Sequence, residues 1–283
     1  MNRPEARDQP PPMAAGQGPS TPAHDTVAAR VSLPADPAVR DRHRWLAGLV
    51  DATPGARVVD LGCGDGATLA AVTPSLGAGA AVGLDLDDEA LREAARTLDP
   101  WGSRLALVQA DLTRPLPLAD GSVDVVFSHD VLEALPDPVA VLREAHRVLR
   151  QGGRLVVGHP DYDTTVFAGA DLDLTRRVVR AYCDTRQPWM GAVDGTLGRR
   201  LAEIVSRAPF TDVDVVARVV LSRRFEPGRL GRLAADHAVQ VLSGSPALTP
   251  AELGRWHEQL AAAAARNAFL FSLNDYVALA TKP

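Results

Sequence analysis

Three glycines at alternating positions stand among aspartates in the segment Asp60-Leu61-Gly62-Cys63-Gly64-Asp65-Gly66. Glycine lets a backbone turn tightly and pass close to a bound molecule that a Cβ would hold away. The spacing is GxGxG, not the GxGxxG of a dinucleotide fingerprint, whose helix N-terminus receives a pyrophosphate. Asp65 stands where such a phosphate would approach, and a carboxylate repels phosphate oxygens. The turn therefore suits a ligand that carries positive charge and no phosphate. Two further acids extend the pattern. Asp85 closes Val82-Gly83-Leu84-Asp85, where its two oxygens can accept both hydroxyls of a ribose. Asp111, in Gln109-Ala110-Asp111-Leu112, offers an acceptor to a ring amino group, with Leu86 and Leu112 placed to sandwich the ring.

A second constellation is made of proton carriers. His129, and the cluster His159, Asp161, Tyr162 and Asp163, fall at the ends of adjacent expected strands, where ligands of open α/β sheets bind. Histidine titrates near pH 6.5 and is the natural base, with an aspartate to orient it. His159 is the expected general base, Tyr162 positions an acceptor, and His129 is a third candidate for catalysis. Trp45, Phe167, Tyr182 and Trp189 are candidates for the walls of a pocket for a flat molecule, or for core anchors. His146, His237 and His257 are expected to face solvent. Cys63 and Cys183, the only two cysteines, have neither CxxC nor metal-ligand spacing. Neither a disulfide nor a metal site is expected, and Cys63 reads as a small packing residue of the turn.

These groups need elements to hold them. Short apolar runs bounded by Gly or Asp at 57–61, 80–85, 105–109, 123–127 and 154–158 predict strands. Helical stretches at 67–72, 88–98 and 138–150 separate them. Five parallel strands with right-handed crossovers follow. A helix is expected over 36–51, and a loop over 159–165. Beyond it, helices are expected at 172–184, 197–208, 229–242 and 250–267, with strands at 213–221 and 269–280 closing the sheet as an antiparallel pair. The expected fold class is α/β, a doubly wound, seven-stranded Rossmann-like sheet with a helical insert forming a lid. Residues 1–34, rich in Pro, Gly and Ala, read as a flexible tail, 35–160 as the ligand-binding core, and 161–283 as lid and substrate region with the last two strands.

With these motifs in order, the chain resembles the class I S-adenosylmethionine-dependent methyltransferases, in particular the ubiquinone and menaquinone methyltransferase-like branch. Residues 58–66 look like that family's first motif, and 82–85 like its acidic strand end. Residues 120–126 and 142–153 are similar to its fourth strand and to the helix and turn before its fifth. The resemblance implies S-adenosylmethionine as cofactor. It places Asp60, Gly62, Cys63, Gly64 and Gly66 around the methionine part, Asp85 and Leu86 at the ribose and ring, Ala110, Asp111 and Leu112 at the adenine, and the Ser128 backbone at the amino group. The chain departs from the family after the fourth strand. Relatives often carry Ser-Asn and then Leu-Glu-His, whereas Ser128-His129-Asp130 precedes Leu132-Glu133-Ala134 here, so no base stands at 134. His159-Pro160-Asp161-Tyr162 is similar to the box of amino-methylating enzymes, but it follows the fifth strand and lacks the second proline.

Composition narrows the acceptor. A chain of 283 residues, 46% hydrophobic, with a net charge of -5, lacks the basic face with which nucleic-acid binders displace counterions. No apolar run approaches a membrane span. The expected acceptor is a small molecule methylated at O, N or C, an aromatic or indole-containing product of bacterial secondary metabolism being the narrowest form. A cytoplasmic location is expected, and oligomeric state is left open. Two alternatives stand beside this reading: an NAD(P)-dependent oxidoreductase, which the GxGxG spacing and Asp65 disfavour, and a non-catalytic module that keeps the cofactor fold.

Overall fold

In the run Val123-Asp124-Val125-Val126-Phe127 alternate residues point to opposite faces of a strand, so that Val125 and Phe127 stand on one face and Val126 on the other, as a sheet covered on two sides requires. The computed structural model describes residues 36–191 and 194–283, so the expected tail at 1–34 lies outside the described residues. In chain order the elements are α1 (Pro37–Val50), β1 (Arg57–Leu61), α2 (Ala67–Val72), β2 (Ala80–Asp85), α3 (Asp88–Leu98), β3 (Leu105–Gln109) and β4 (Val123–His129). There follow α4 (Pro138–Val148), β5 (Leu149–Ala168), α5 (Leu172–Asp184), α6 (Leu201–Ser206), β6 (Thr211–Ser222), α7 (Leu230–Leu242), α8 (Pro250–Ala265) and β7 (Leu270–Thr281). The seven strands form one sheet in the order β3-β2-β1-β4-β5-β7-β6. The first five are parallel, and β7 is antiparallel to both β5 and β6. This is the doubly wound, seven-stranded Rossmann-like sheet expected from the sequence.

Each face of the sheet has its own core. Val125, Phe127 and Val156 pack with Leu46, Val50, Leu69 and Leu98 from α1, α2 and α3. Val126, Leu155 and Val157 pack on the other face with Leu142, Leu201 and Ile204 from α4 and α6. Helix starts are set by side-chain caps: Asp87 accepts from Glu89 and Ala90, Asp137 from Ala140, and Thr249 with Glu252 forms a capping box on α8.

A third core holds the insert. Helices α5, α7 and α8 gather Leu174, Val178, Ala235, Leu242, Trp256 and Leu260 over Phe167 and Phe271. Phe167 and Phe271 are partners in the β5–β7 ladder, so the insert is built on the far ends of these two strands.

That arrangement corrects one expectation. Residues 159–165 are not a loop, because β5 runs on through them and across the expected boundary at 160 for 20 residues in all. Its pairing with β4 stops at Gly158, so Pro160 interrupts no parallel ladder, while β7 pairs beyond it with one irregularity between Asp161 and Val166. The polar residues that made this stretch read as a loop find partners from distant parts of the chain. Two boundaries also move: α4 ends at Val148 where β5 begins, and residues 198–200 form a 3-10 turn ahead of α6.

Candidate functional site

At the end of β1 the chain turns through Gly62, Gly64 and Gly66 at φ of 74°, 52° and 76°. A Cβ on Gly62 would strike the Val131 side chain, so glycine is required there for both conformation and space. The turn is pinned to β2. Leu84 O accepts from the N–H groups of Gly62 (2.7 Å) and Cys63 (3.0 Å). One Asp85 oxygen accepts from Gly64 N at 2.8 Å and the other from Asp87 N at 3.0 Å. The Ser128 hydroxyl donates to Leu61 O at 2.8 Å and ties the end of β4 to the turn.

The electrostatics of this turn are one-sided. Asp60 is buried, and burial, reinforced by Asp85 and Asp65, pushes its carboxyl well above the usual range. Among the described residues no Lys, Arg or His pairs with Asp60, Asp65 or Asp85. A bound cation without phosphates would relieve that repulsion, which is the fit expected of a sulfonium. Burial also pushes the Cys63 thiol up, ahead of the nearby Asp60 carboxylate, so Cys63 packs as an inert thiol.

The expected ring site is less complete. Ala110 N donates to Asp85 O at 2.8 Å, placing β3's end beside β2. Asp111 Oδ1 accepts from Thr113 N at 2.9 Å and Thr113 Oγ1 at 2.6 Å, and these bonds hold its carboxyl below the usual range. Leu86 is 56% exposed and Leu112 is buried, so of the two leucines it is Leu86 that offers open surface.

Beyond β4 and β5 lies a partly open cavity. Phe167, Tyr182 and Trp189 line it as expected of pocket walls, together with Tyr162, whereas Trp45, on α1, is partly buried against the core. His237, expected to face solvent, is buried in the cavity wall. Its Nδ1 lies 2.9 Å from the Tyr182 hydroxyl, its ring stacks on Trp189 at 5.8 Å, and burial lowers its pKa to about 4. Arg42 from α1 and Asp130 are the charged side chains of the lining.

The two histidines differ in surroundings. His129 Nε2 lies 2.9 and 3.0 Å from the carboxylate oxygens of Asp275 on β7. Burial pushes the Asp275 carboxyl up, but His129 and then Arg42 outweigh it and hold it below the usual range. The imidazole packs against Gly158, where a Cβ would come 2.6 Å from His129 Cδ2. His159 is fully buried, with Nδ1 2.6 Å from Pro160 O, and Nε2 3.4 Å from both Asp130 Oδ1 and Glu133 Oε2. Burial pulls this imidazole down, yet Glu133 and Asp130 outweigh it and lift the pKa to about 9. Two carboxylates facing Nε2 favour a positive charge there, a proton or another cation, which is opposed to the base role expected of His159. Tyr162 sits edge-on to His159 at 5.9 Å, and its hydroxyl is pushed well up by burial and then by Asp130 and Glu133. Asp161 is fully buried and bound by Arg199 Nη2 at 2.7 Å, a structural ion pair that leaves it no part in orienting His159.

Three residues of this region were not singled out as functional from sequence. Asp275 had a signal, being a lone acid in the otherwise apolar end of the chain. Asp130 and Glu133 lie in the segment where the motif departs from its relatives.

Residues 59–157 match the protein family described as a methyltransferase domain. The chain is 35% identical over 198 residues to an uncharacterised 37.1 kDa protein in a Streptomyces fradiae transposon, covering 68% of this chain and 54% of that protein. It is 33% identical over 159 residues to a trans-aconitate 2-methyltransferase of Azoarcus sp., covering 56% and 55%. Its fold is similar to that of a candidate methyltransferase from Bacillus halodurans, with a TM-score of 0.55, 19% identity, and coverage of 86% of this chain and 99% of that one. The seven-stranded sheet has a Rossmann-like methyltransferase fold, and within it residues 59–157 are similar to the methyltransferase domain family. The chain spans about half the length of these two curated relatives.

Proposed function

We propose that the chain transfers a methyl group to a small molecule held in the cavity beyond β4 and β5. The observation that carries this is the trio Asp60, Asp65 and Asp85, without a cationic partner among the described residues, joined to a partly open, aromatic-lined cavity by Val131, which packs against Gly62, and its neighbour Asp130, which lines the cavity. S-adenosylmethionine supplies an electrophilic methyl group when bound. The glycine turn and Asp60 would hold its methionine part, Asp85 its ribose, and Ala110, Asp111, Leu112 and the exposed Leu86 its adenine, with the Ser128 backbone at the amino group.

The protein's own contribution is orientation, exclusion of water and removal of a proton. Asp275 holds the proton on His129 Nε2, so the Nδ1 lone pair is free to accept one. Among the described residues nothing bonds to Nδ1. We assign the base role to His129 rather than His159. With the cofactor bound, its methyl group would pass to an acceptor held in the cavity, and His129 would take the proton that the acceptor loses. Tyr162 and Trp189 supply flat walls that position the acceptor.

The lining favours an apolar, flat acceptor with one reactive hydroxyl, amine or ring carbon, such as an aromatic or indole-containing natural product of secondary metabolism. A free tricarboxylate would meet one arginine there, beside Asp130 and Glu133, and would lose more by desolvation than that pair returns. Resemblance to the ubiquinone and menaquinone branch supports the same acceptor class.

The test is thermal unfolding with S-adenosylhomocysteine or NAD, followed by a panel of phenols, indoles and amines with labelled S-adenosylmethionine. Stabilisation by S-adenosylhomocysteine alone and label in a small aromatic product are expected. Stabilisation by NAD would overturn the reading. Cofactor binding with no transfer to any class would favour the non-catalytic alternative.

A further inference from the structure

His159 presents a problem of unmatched charge. Pro160 O can only accept, so the proton of a neutral His159 sits on Nδ1 and the Nε2 lone pair faces two carboxylate oxygens. Nε2, Asp130 Oδ1 and Glu133 Oε2 lie within 4.8 Å of one another. All three atoms are buried, and among the described residues none has a hydrogen-bond partner. Something positive belongs between them.

We propose that Asp130, Glu133 and His159 bind a divalent first-row transition-metal ion at the edge of the acceptor cavity. A proton on Nε2 is the competing occupant, and geometry disfavours it. A charge-assisted N–H···O bond closes to about 2.7–2.9 Å, whereas both separations here are 3.4 Å. That length is about the edge of a coordination polyhedron with metal–ligand bonds of roughly 2.0–2.2 Å.

The surroundings are those of a built site. A metal-binding histidine commonly donates its other ring N–H to a backbone carbonyl, and ligating carboxylates are themselves hydrogen-bonded. His159 Nδ1 does the first at 2.6 Å, and Trp189 Nε1 donates to Glu133 Oε1, the oxygen turned away from the cluster, at 3.2 Å. Asp130 is held at φ 62°, with its N–H on Gly158 O at 3.0 Å, which fixes the third ligand's backbone.

One nitrogen and two carboxylate oxygens suit ions such as Mn²⁺ or Zn²⁺ over those that demand thiolates. Asp130 also lines the cavity, so the ion would lie at the edge of the space an acceptor would fill. A metal ion there would bind an acceptor hydroxyl and lower its pKa, making its proton easier to pass to a base. This role in chemistry rests on the methyl-transfer reading, whereas the ion's binding does not.

The experiment uses the full chain after treatment with a chelator, titrated with Co²⁺ and Mn²⁺ by calorimetry and by the visible absorption of bound Co²⁺. One equivalent is expected to bind, with a rise in Tm. Affinity should fall by more than about 100-fold in E133Q and D130N, which weaken a direct ligand, since loss of an outer partner alone costs roughly 10- to 100-fold. W189F, which removes the outer partner, should weaken binding less than E133Q. S-adenosylhomocysteine affinity reports whether each variant is folded and whether the cofactor reading stands. Metal bound equally by wild type and by folded E133Q and D130N would overturn the site, as would the absence of binding to wild type.

Discussion

His129 on β4 and Asp275 on β7 meet as a buried pair, Nε2 lying 2.9 and 3.0 Å from the two carboxylate oxygens, although 146 positions separate them. The pair exists because β5 lies between their strands and carries Gly158 opposite His129 and Pro160 opposite Asp275. Glycine leaves room for the imidazole to lean across β5 towards β7. If His129 is the base, D275N should free the ring to adopt the other tautomer. Turnover is expected to fall by about 100-fold, with S-adenosylhomocysteine affinity unchanged. Steady-state kinetics and calorimetry on one preparation decide it, and unchanged kcat would remove His129 from the mechanism.

The acidic trio makes a charge-specific prediction. D60N keeps the shape of the turn and removes one buried carboxyl. Affinity for S-adenosylmethionine, which carries the sulfonium, should drop by roughly tenfold, about 1.4 kcal/mol, and affinity for uncharged-sulfur S-adenosylhomocysteine by less. Equal losses for both ligands would show that Asp60 shapes the turn without reading charge.

Gly62 tests the backbone. G62A places a Cβ at φ 74° and against Val131. A destabilisation of about 2–4 kcal/mol is expected, combining left-handed strain with overpacking. Adding V131A should return only the packing share in urea unfolding. Full recovery in the double variant would mean that the φ carries no cost.

His237 makes stability pH-dependent. Its pKa is about 4 when folded, lowered by burial from an ordinary 6.5, and the groups against it, Tyr182 and Trp189, are neutral. Below pH 6.5 the unfolded chain takes up a proton that the folded chain refuses. Stability contributed by the neutral ring is therefore complete above pH 6.5 and lost as pH falls from 6.5 towards 4. The loss is on the order of 2 kcal/mol. H237Q should flatten this part of the profile in urea unfolding between pH 4 and 7; superimposable profiles would exclude the residue.

Read alone, the sequence determined the half of the fold that carries the glycine turn. Strand, glycine turn and acidic strand end are local patterns, and Asp60, Gly62, Gly64, Gly66 and Asp85 fall within 26 positions of one another. Hydrophobic period and turn chemistry operate over such spans, so the first five strands and their helices were legible.

Tertiary structure alone decided the acceptor half. His159-Pro160-Asp161-Tyr162 reads as a loop because its polarity is visible and its partners are not: Arg199 for Asp161, Glu133 and Asp130 for His159, and β7 for the backbone. The roles of the two histidines turned on the same kind of fact. Both are titratable groups at strand ends, and what separates them is which carboxylates the folded sheet brings to each ring. Burial and charge pairing set a proton's affinity, and both arise from contacts between residues far apart in the chain.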